Sequence, residues 1–171
     1  MANVDNPVGF YPVKQIGGET FPMHRFIVTT GQIVYRGDLL VMLNAGTVSA
    51  AAANDGVKCI GVAAEYVTDA ASAGGKEVLV YFSPMTVFGI QCDSGTSVTA
   101  DLMFHTANHV ATTGDTTTKL SKHELDASDL ATGSQMRIIG LVDKPGNAWG
   151  EHADVEVVLV EHALADATTI S

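Results

Sequence analysis

An internal repeat restricts the fold of this chain more than any other feature of its sequence. The segment CIGVAAEYV…GGKEVLVYF, which begins at Cys59, matches IIGLVDKPG…ADVEVVLVEH, which begins at Ile138. Three aligned pairs share an offset of 79 residues: Ile60 with Ile139, Gly61 with Gly140, and Glu77 with Glu156. Two copies are too few for a solenoid, which needs about three or more repeats. The sequence therefore predicts a single domain with two pseudo-repeated halves, at about residues 30–92 and 95–162.

A second, weaker sequence repeat lies upstream and shows that the second half of the chain contains an insertion. The segment GDLLVMLNAGTVSAA, which begins at Gly37, is echoed by ADLMFHTANHVATT, which begins at Ala100, with an offset of 63 instead of 79. The 16 extra residues of the second half must follow this echo, and Asp115–Ser134 is the charged, helix-permissive stretch that can hold them. Its motif SKHE has the spacing of a helix capping box. We therefore expect one short helix near residues 122–131.

Runs of β-branched and aliphatic residues alternate with glycine-containing turn signals along the chain. Short strands separated in this way are typical of a β-sandwich or β-barrel, so we predict a compact all-β domain of that kind. Two runs, VLVYF and VEVVLV, are continuously apolar, which indicates strands covered on both faces. The predicted strands are Phe26–Thr29, Gln32–Tyr35, Leu39–Leu43, Thr47–Ala50, Cys59–Ala64, Val78–Phe82, Thr86–Gln91, Leu102–His105, Met136–Val142 and Val155–Val160.

The first residues do not follow this strand pattern. The stretch VDNPVGFYPV, Val4–Val13, has two prolines and two aromatic residues but neither a helical period nor strand alternation. Residues before proline prefer an extended backbone, and an extended peptide can add a strand to an exposed sheet edge while its aromatic rings fill pockets. We predict an extended arm over residues 1–24, a β-domain over 25–163 and a tail over 164–171. We expect this arm to reach a neighbouring molecule, with the domain's own flank as the alternative, through the candidate contact residues Asn6, Pro7, Phe10, Tyr11 and Pro12.

The charge balance argues against some classes of partner. The chain has 9 basic and 19 acidic residues, for a net charge of −10. Because nucleic-acid affinity depends on Lys and Arg contacts to phosphate, we expect no nucleic-acid partner, and for the same reason no anionic membrane. Charged residues are only 16% of the chain, against roughly 25% in typical domains, which suggests that an assembly interface covers part of the surface.

Cysteine and histidine spacings suggest structural roles. Cys59 and Cys92 lie in apolar, strand-like surroundings, so we favour two buried thiols over a disulfide. His105 and His109 have metal-ligand spacing only on a helix, and here they fall in a strand–turn region. The other two histidines considered, His152 and His162, flank the last strand and are expected to face solvent.

The sequence has no pattern typical of catalysis or of cofactor binding. It lacks a nucleophile elbow, a phosphate-binding glycine loop and the acidic ladder of a calcium loop, so we predict neither an enzyme nor a cofactor or metal. Trp149, the single tryptophan, lies in the loop KPGNAWGEH. Three roles remain open for it: an interface anchor, a plug over the core, or a platform for a sugar.

Two parts of the chain resemble the small head-decoration, or cement, proteins of tailed bacteriophages. The opening MANVDNPVGFYPV is similar to the ANP-x-GF-x-PV openings of structural proteins of marine and related phages. The segment Val34–Phe82 resembles a β-domain of capsid decoration proteins, with a G-D turn, a G-T-V strand, an I-G-V strand and a last strand after a glycine turn. The second copy departs from this pattern at its G-D turn, where Ala100 replaces the glycine.

The resemblance implies a structural, non-enzymatic protein of the virion. Such proteins bind the outside of the capsid at junctions between major capsid subunits, often as trimers, and stabilise the shell. It therefore implies the major capsid protein and a homotrimer as partners, with synthesis in the host cytoplasm and a final location on the capsid exterior. The alternatives are another virion component, such as a tail-tube or head-fibre protein, and a carbohydrate-binding β-module.

Overall fold

The computed structural model describes residues 3–43, 45–53, 58–68 and 75–165. Within these ranges the chain forms fourteen β-strands and two short 3-10 turns, so the predicted all-β class is confirmed. The predicted C-terminal tail, 164–171, lies outside the described residues except for its first two positions. The strands are β1 Tyr11–Gln15, β2 Met23–Ile27, β3 Ile33–Val34, β4 Leu39–Met42, β5 Val48–Ala50, β6 Cys59–Ala63, β7 Val67–Thr68, β8 Glu77–Tyr81, β9 Thr86–Gln91, β10 Thr106–Ala107, β11 His109–Val110, β12 Glu124–Leu125, β13 Met136–Leu141 and β14 Asp154–Leu159.

Two five-stranded antiparallel sheets carry most of the fold, and they order their strands alike. The first sheet has the order β1-β9-β14-β13-β10, and the second has the order β2-β8-β6-β4-β5. The repeated segments occupy equivalent places, because β6 and β8 of the first copy are neighbours, as are β13 and β14 of the second. β2 pairs with β8, the last strand of the repeated segment that begins at Cys59, and β9 pairs with β14, the last strand of the segment that begins at Ile138. The sequence repeat is thus a repeat of sheet topology.

The I-G motif of each copy encodes a β-bulge. In β6 the pairing with β4 slips at Ile60, and in β13 the pairing with β14 slips at Ile139, so that Gly61 and Gly140 each follow the extra residue. A bulge adds one residue to one strand and bends it. Gly61 has a φ of 138°, and a Cβ there would lie 2.0 Å from the carbonyl oxygen of Tyr81.

Two hydrophobic cores fill the domain. The larger lies between the sheets and includes Leu39, Phe88 and Val157. The smaller lies inside the second sheet, whose edges are joined by a bridge between Val28, just after β2, and Val48 of β5. That bridge wraps the second sheet around its own core.

Strand burial differs from the sequence prediction. β8 and β14 alternate between buried and partly exposed residues, so they are not covered on both faces as predicted. Instead β6 and β9 are buried at every position. β6 is buried on both faces because it lies between the two cores, with Val62 in the larger core and Ala63 in the smaller.

Two predicted elements are wrong. The helix expected near 122–131 is replaced by strand β12 and a single 3-10 turn at Ala127–Asp129, because β12 pairs with β11 instead. The strand predicted over Leu102–His105 is a 3-10 turn at Ala100–Leu102 followed by Phe104 in a left-handed conformation. The described part of the chain has no helix with the length and apolarity that crossing a bilayer requires.

Candidate functional site

The N-terminal segment is bound to its own domain. β1 forms the edge of the first sheet and pairs antiparallel with β9. Phe10 is 2% exposed and packs edge-on against Phe88, with ring centroids 6.3 Å apart. The hypothesis of an arm that docks elsewhere through Phe10 is therefore wrong, because this ring belongs to the core of its own chain. Of the partners considered, the domain's own flank is the one that the structure contains.

A close crossing of two glycines fixes the path of this segment. The Phe10 N–H donates to the carbonyl of Gly37 over 2.9 Å. A Cβ on Gly9 would lie 2.6 Å from that same carbonyl, and a Cβ on Gly37 would lie 2.8 Å from the carbonyl of Val8. The glycine of the first G-D turn thus leaves room for the N-terminal segment.

Gln91, a buried residue at the end of β9, forms hydrogen bonds to the N-terminal segment through its side-chain amide. Its Oε1 accepts a hydrogen bond from the Asn6 N–H over 2.8 Å. Its Nε2 donates to the carbonyls of Val4 at 3.0 Å and His152 at 3.2 Å. One side chain therefore connects the residues on both sides of Asp5 to the loop that carries His152.

Tyr11 and Asp154 form a second connection. The Tyr11 hydroxyl donates to Oδ1 of Asp154 over 3.2 Å, and Lys144 Nζ donates to Oδ2. Burial is the main cause that raises the pKa of Tyr11 well above its usual value, and the nearby Asp154 carboxylate raises it further. The phenol therefore stays protonated.

The outer edge of β1 is poorly suited to adding another strand. Pro12 has no N–H, the pairing with β9 shifts between Pro12 and Lys14, and the Lys14 ammonium pairs with Glu156 over 2.5 Å. Proline, bulges and lysine are the devices that protect sheet edges from further pairing. Contacts to a partner in this region would therefore use side chains such as Asn6, Pro7 and Pro12, which remain partly or fully exposed.

Trp149 lies half-buried against the larger core. Its loop is tied to the N-terminal segment by Asn3, whose amide nitrogen donates to the carbonyls of Ala148 and Glu151, both at 2.8 Å. Of the three roles considered, this packing fits a plug over the core best. The indole also lines a shallow surface cleft with Ser97 and Asn3.

Three ionisable side chains from distant parts of the chain meet beside Gln91. One ligand atom each from Asp5, Glu124 and His152 lie within 4.8 Å of one another. Burial, and then the charges of Asp5 and Asp93, raise the pKa of Glu124 to about 7. The prediction that His152 faces solvent is wrong: its side chain is mostly buried, because its carbonyl is held by Gln91 and its backbone turns at a φ of 53°.

Asp38 and His123 form a buried polar pair that the sequence pattern did not indicate. Nε2 of His123 is 3.5 Å from Oδ1 of Asp38. Burial raises the pKa of Asp38 to about 6, against opposing hydrogen bonds from Ser121 and the Tyr35 N–H. Burial and, to a smaller extent, the neighbouring His109 lower the pKa of His123 to about 3. His123 therefore faces Asp38 as a neutral ring.

Two further histidines and both cysteines are buried. His105 is exposed, whereas His109 is fully buried with Nδ1 2.7 Å from Oε1 of Gln135, so the two do not act as a pair. His162, predicted to face solvent, is also fully buried, because the chain after β14 pairs with β6. Cys59 and Cys92 are buried and form no disulfide, as expected.

Three exposed apolar side chains lie on or beside the two connections that join the sheets. The connection from β1 to β2 and the connection from β8 to β9 run side by side, joined by a hydrogen bond from the Ile16 N–H to the Met85 carbonyl. We call Ile16, Met23 and Met85, which lie on or directly beside these connections and are all exposed, the crossover surface. Exposed apolar side chains that form one contiguous patch mark a contact with another molecule.

Comparison of the sequence with models of known families, and with curated proteins, gave no match.

Proposed function

We propose that this protein is a structural component of a bacteriophage virion that binds and stabilises the outer surface of the capsid. The observation that carries the proposal is the crossover surface, an exposed apolar group on a domain that has few charged residues. Burial of apolar surface is a dominant favourable contribution to most protein association. Three exposed apolar side chains on or beside neighbouring connections suit a contact with a large protein surface.

The fold supports a role in assembly. The second sheet wraps around its own core, and proline and a bulge protect the β1 edge of the first. Neither arrangement favours binding by strand addition, so the protein would dock through side chains. The net charge of −10 would keep it from competing for DNA phosphates.

The partners that we propose are the major capsid protein and further copies of this chain, as a homotrimer on the capsid exterior. The crossover surface would contact the capsid. Phe10 would take no part, because it is buried in its own domain.

The test is binding to capsids that lack this protein. Met85→Glu places a charge in the crossover surface, and we expect capsid occupancy at equal concentration to fall about tenfold or more, as for a residue near the centre of an interface. Met103→Glu is the matched control, because Met103 is 41% exposed and Met85 47%, and it should bind like wild type. Equal occupancy for both variants would refute the proposed docking surface.

Deletion of residues 2–13 would not test whether this segment contacts the capsid, because it would also damage the domain itself. It would remove Phe10 from the core and part of β1 from the sheet. Loss of capsid binding would then report unfolding rather than a lost contact.

Two measurements separate the alternatives. Size-exclusion chromatography with light scattering should give a closed trimer, whereas rings of six or open filaments would favour a tail-tube protein. A carbohydrate-binding module is favoured only by the cleft beside Trp149. It would require glycan binding that Trp149→Ala abolishes.

A further inference from the structure

The cluster formed by Asp5, Glu124 and His152 has the composition of a metal site. The three residues come from the N-terminal segment, from β12 and from the loop before β14, and one ligand atom of each lies within 4.8 Å of the other two. Two carboxylate oxygens and one imidazole nitrogen are a donor set that divalent transition metals accept.

The histidine in this cluster has a polar atom without a protein partner. Nδ1 of His152 is buried and makes no hydrogen bond within the described residues. Its nearest carboxylate oxygen, Oδ1 of Asp5, is 3.9 Å away, beyond hydrogen-bond distance. A buried polar atom without a partner is energetically unfavourable. This nitrogen points to a ligand at the centre of the cluster.

The nearby lysine is already paired elsewhere. Lys144 lines the cleft that contains Asp5, but its ammonium forms an ion pair with Asp154. A divalent cation would neutralise the two carboxylates that approach His152 and would give its Nδ1 a partner.

The backbone around these donors is already fixed. Gln91 binds the residues before and after Asp5 and also the carbonyl of His152. Glu124 lies on β12, which pairs with β11. The donors are therefore held by contacts that do not depend on a metal.

We propose that Asp5, Glu124 and His152 bind one divalent transition-metal ion, with zinc as the best match. Zinc is usually four-coordinate, so three protein ligands leave one position for water. Calcium and magnesium take oxygen ligands and would not use the imidazole. The ion would link the N-terminal segment to the loop that carries Trp149, independently of any capsid contact.

The experiment is a titration of the tag-free, full-length protein with zinc chloride by isothermal calorimetry, with metal content measured by mass spectrometry. We expect one zinc per chain and no comparable binding of calcium. Asp5→Asn, Glu124→Gln and His152→Asn should each weaken zinc binding about tenfold or more, in line with the effects of perturbing metal ligands. Asparagine is chosen at position 152 because it tolerates the positive φ there. Glu151→Gln, next to the cluster, is the control and should bind as wild type does.

The exposed position of Asp5 keeps the test independent of folding. Its side chain is 64% exposed, so Asp5→Asn should leave the circular dichroism spectrum and the apo melting temperature unchanged. Zinc should raise the melting temperature of wild type but not that of Asp5→Asn. Absence of zinc binding, wild-type affinity in the three variants, a stoichiometry below one per chain, or binding of calcium in place of zinc would each overturn the proposal.

Discussion

Nε2 of His123 faces Oδ1 of Asp38 across 3.5 Å, with both side chains almost fully buried. The other ring nitrogen of His123, Nδ1, accepts the Leu39 N–H over 3.4 Å, which places the ring proton on the side of Asp38. The second carboxylate oxygen accepts the Tyr35 N–H over 2.8 Å. A buried carboxylate therefore accepts a backbone N–H at one oxygen, while a neutral imidazole lies near the other without a hydrogen bond to it.

This arrangement predicts opposite pH effects from the two residues. The pKa of Asp38 is raised to about 6 in the folded state from 3.8, so its contribution to stability is fully present below pH 3.8 and is lost as the pH rises through about 6. The pKa of His123 is lowered from 6.5, so its contribution is present above pH 6.5 and is lost as the pH falls. In wild type the two changes oppose each other between about pH 4 and 6.5.

Asp38→Asn isolates the carboxylate. The stability of this variant relative to wild type should improve as the pH rises from 4 to 7, by about 3 kcal/mol at most, since one pKa unit corresponds to about 1.36 kcal/mol. Urea unfolding of both proteins at several pH values measures the difference. A difference that does not change with pH would mean that His123 is protonated and balances the charge.

The bulge glycines give a matched pair of substitutions. Gly61→Ala should destabilise the domain by about 3 kcal/mol or more, because its φ is left-handed and the new Cβ would meet the Tyr81 carbonyl at 2.0 Å. Gly140→Ala, at the same position of the second copy, should cost less than about 1 kcal/mol, since its φ is ordinary and the nearest atom is 3.7 Å away. Denaturant midpoints measure both, and equal losses would contradict the structure.

Phe10→Ala tests whether the N-terminal segment belongs to the core. We expect a loss of about 3–5 kcal/mol in the free energy of unfolding, as for other buried phenylalanines. Val4→Ala in the same segment should change it by less than about 0.5 kcal/mol, because Val4 is 76% exposed. If Phe10→Ala were as mild as Val4→Ala, the segment would be detached in solution.

Gln91→Ala tests the hydrogen bonds that Gln91 makes to the residues on either side of Asp5. Three hydrogen bonds to the backbone would be lost, and the amide proton of Asn6 should exchange with solvent faster than in wild type. Gln15→Ala is the control, because Gln15 also bonds through its side chain but to Ser83 and Thr86. Its loss should leave the Asn6 amide protected, and native-state hydrogen exchange by NMR distinguishes the two.

Most strands could be predicted because their β-branched runs are bounded by turn residues. The segment Met136–Leu141, for example, lies within the predicted Met136–Val142. β1 could not be recognised in the same way, because Pro12 and the bulge at Val13 interrupt its alternation. Its partner, β9, is also distant in sequence, and local patterns carry no information about such pairing.

The candidate site was the hardest part to predict. Local signals suggested a helix start at Ser121, but its hydroxyl accepts the N–H of His123 in a tight turn, and pairing with β11 then takes the chain into a strand. The burial of His109, His123 and His162 depends on long-range packing, which residue type and spacing do not reveal. The sequence predicts Phe10 as a contact of the arm and leaves Trp149 open as an anchor, a plug or a sugar platform, whereas both pack against the core of their own chain.

The contacts of Asn3 have a consequence for how the chain folds. Its side chain binds carbonyls that lie 145 and 148 residues further along the sequence, so this segment is synthesised long before the loop that secures it. Folding rates fall as contacting residues become more distant in sequence. The native state is therefore reached only after the loop of Trp149 has been synthesised, and a chain that stops before that loop would leave the Asn3 segment unattached and open to proteases.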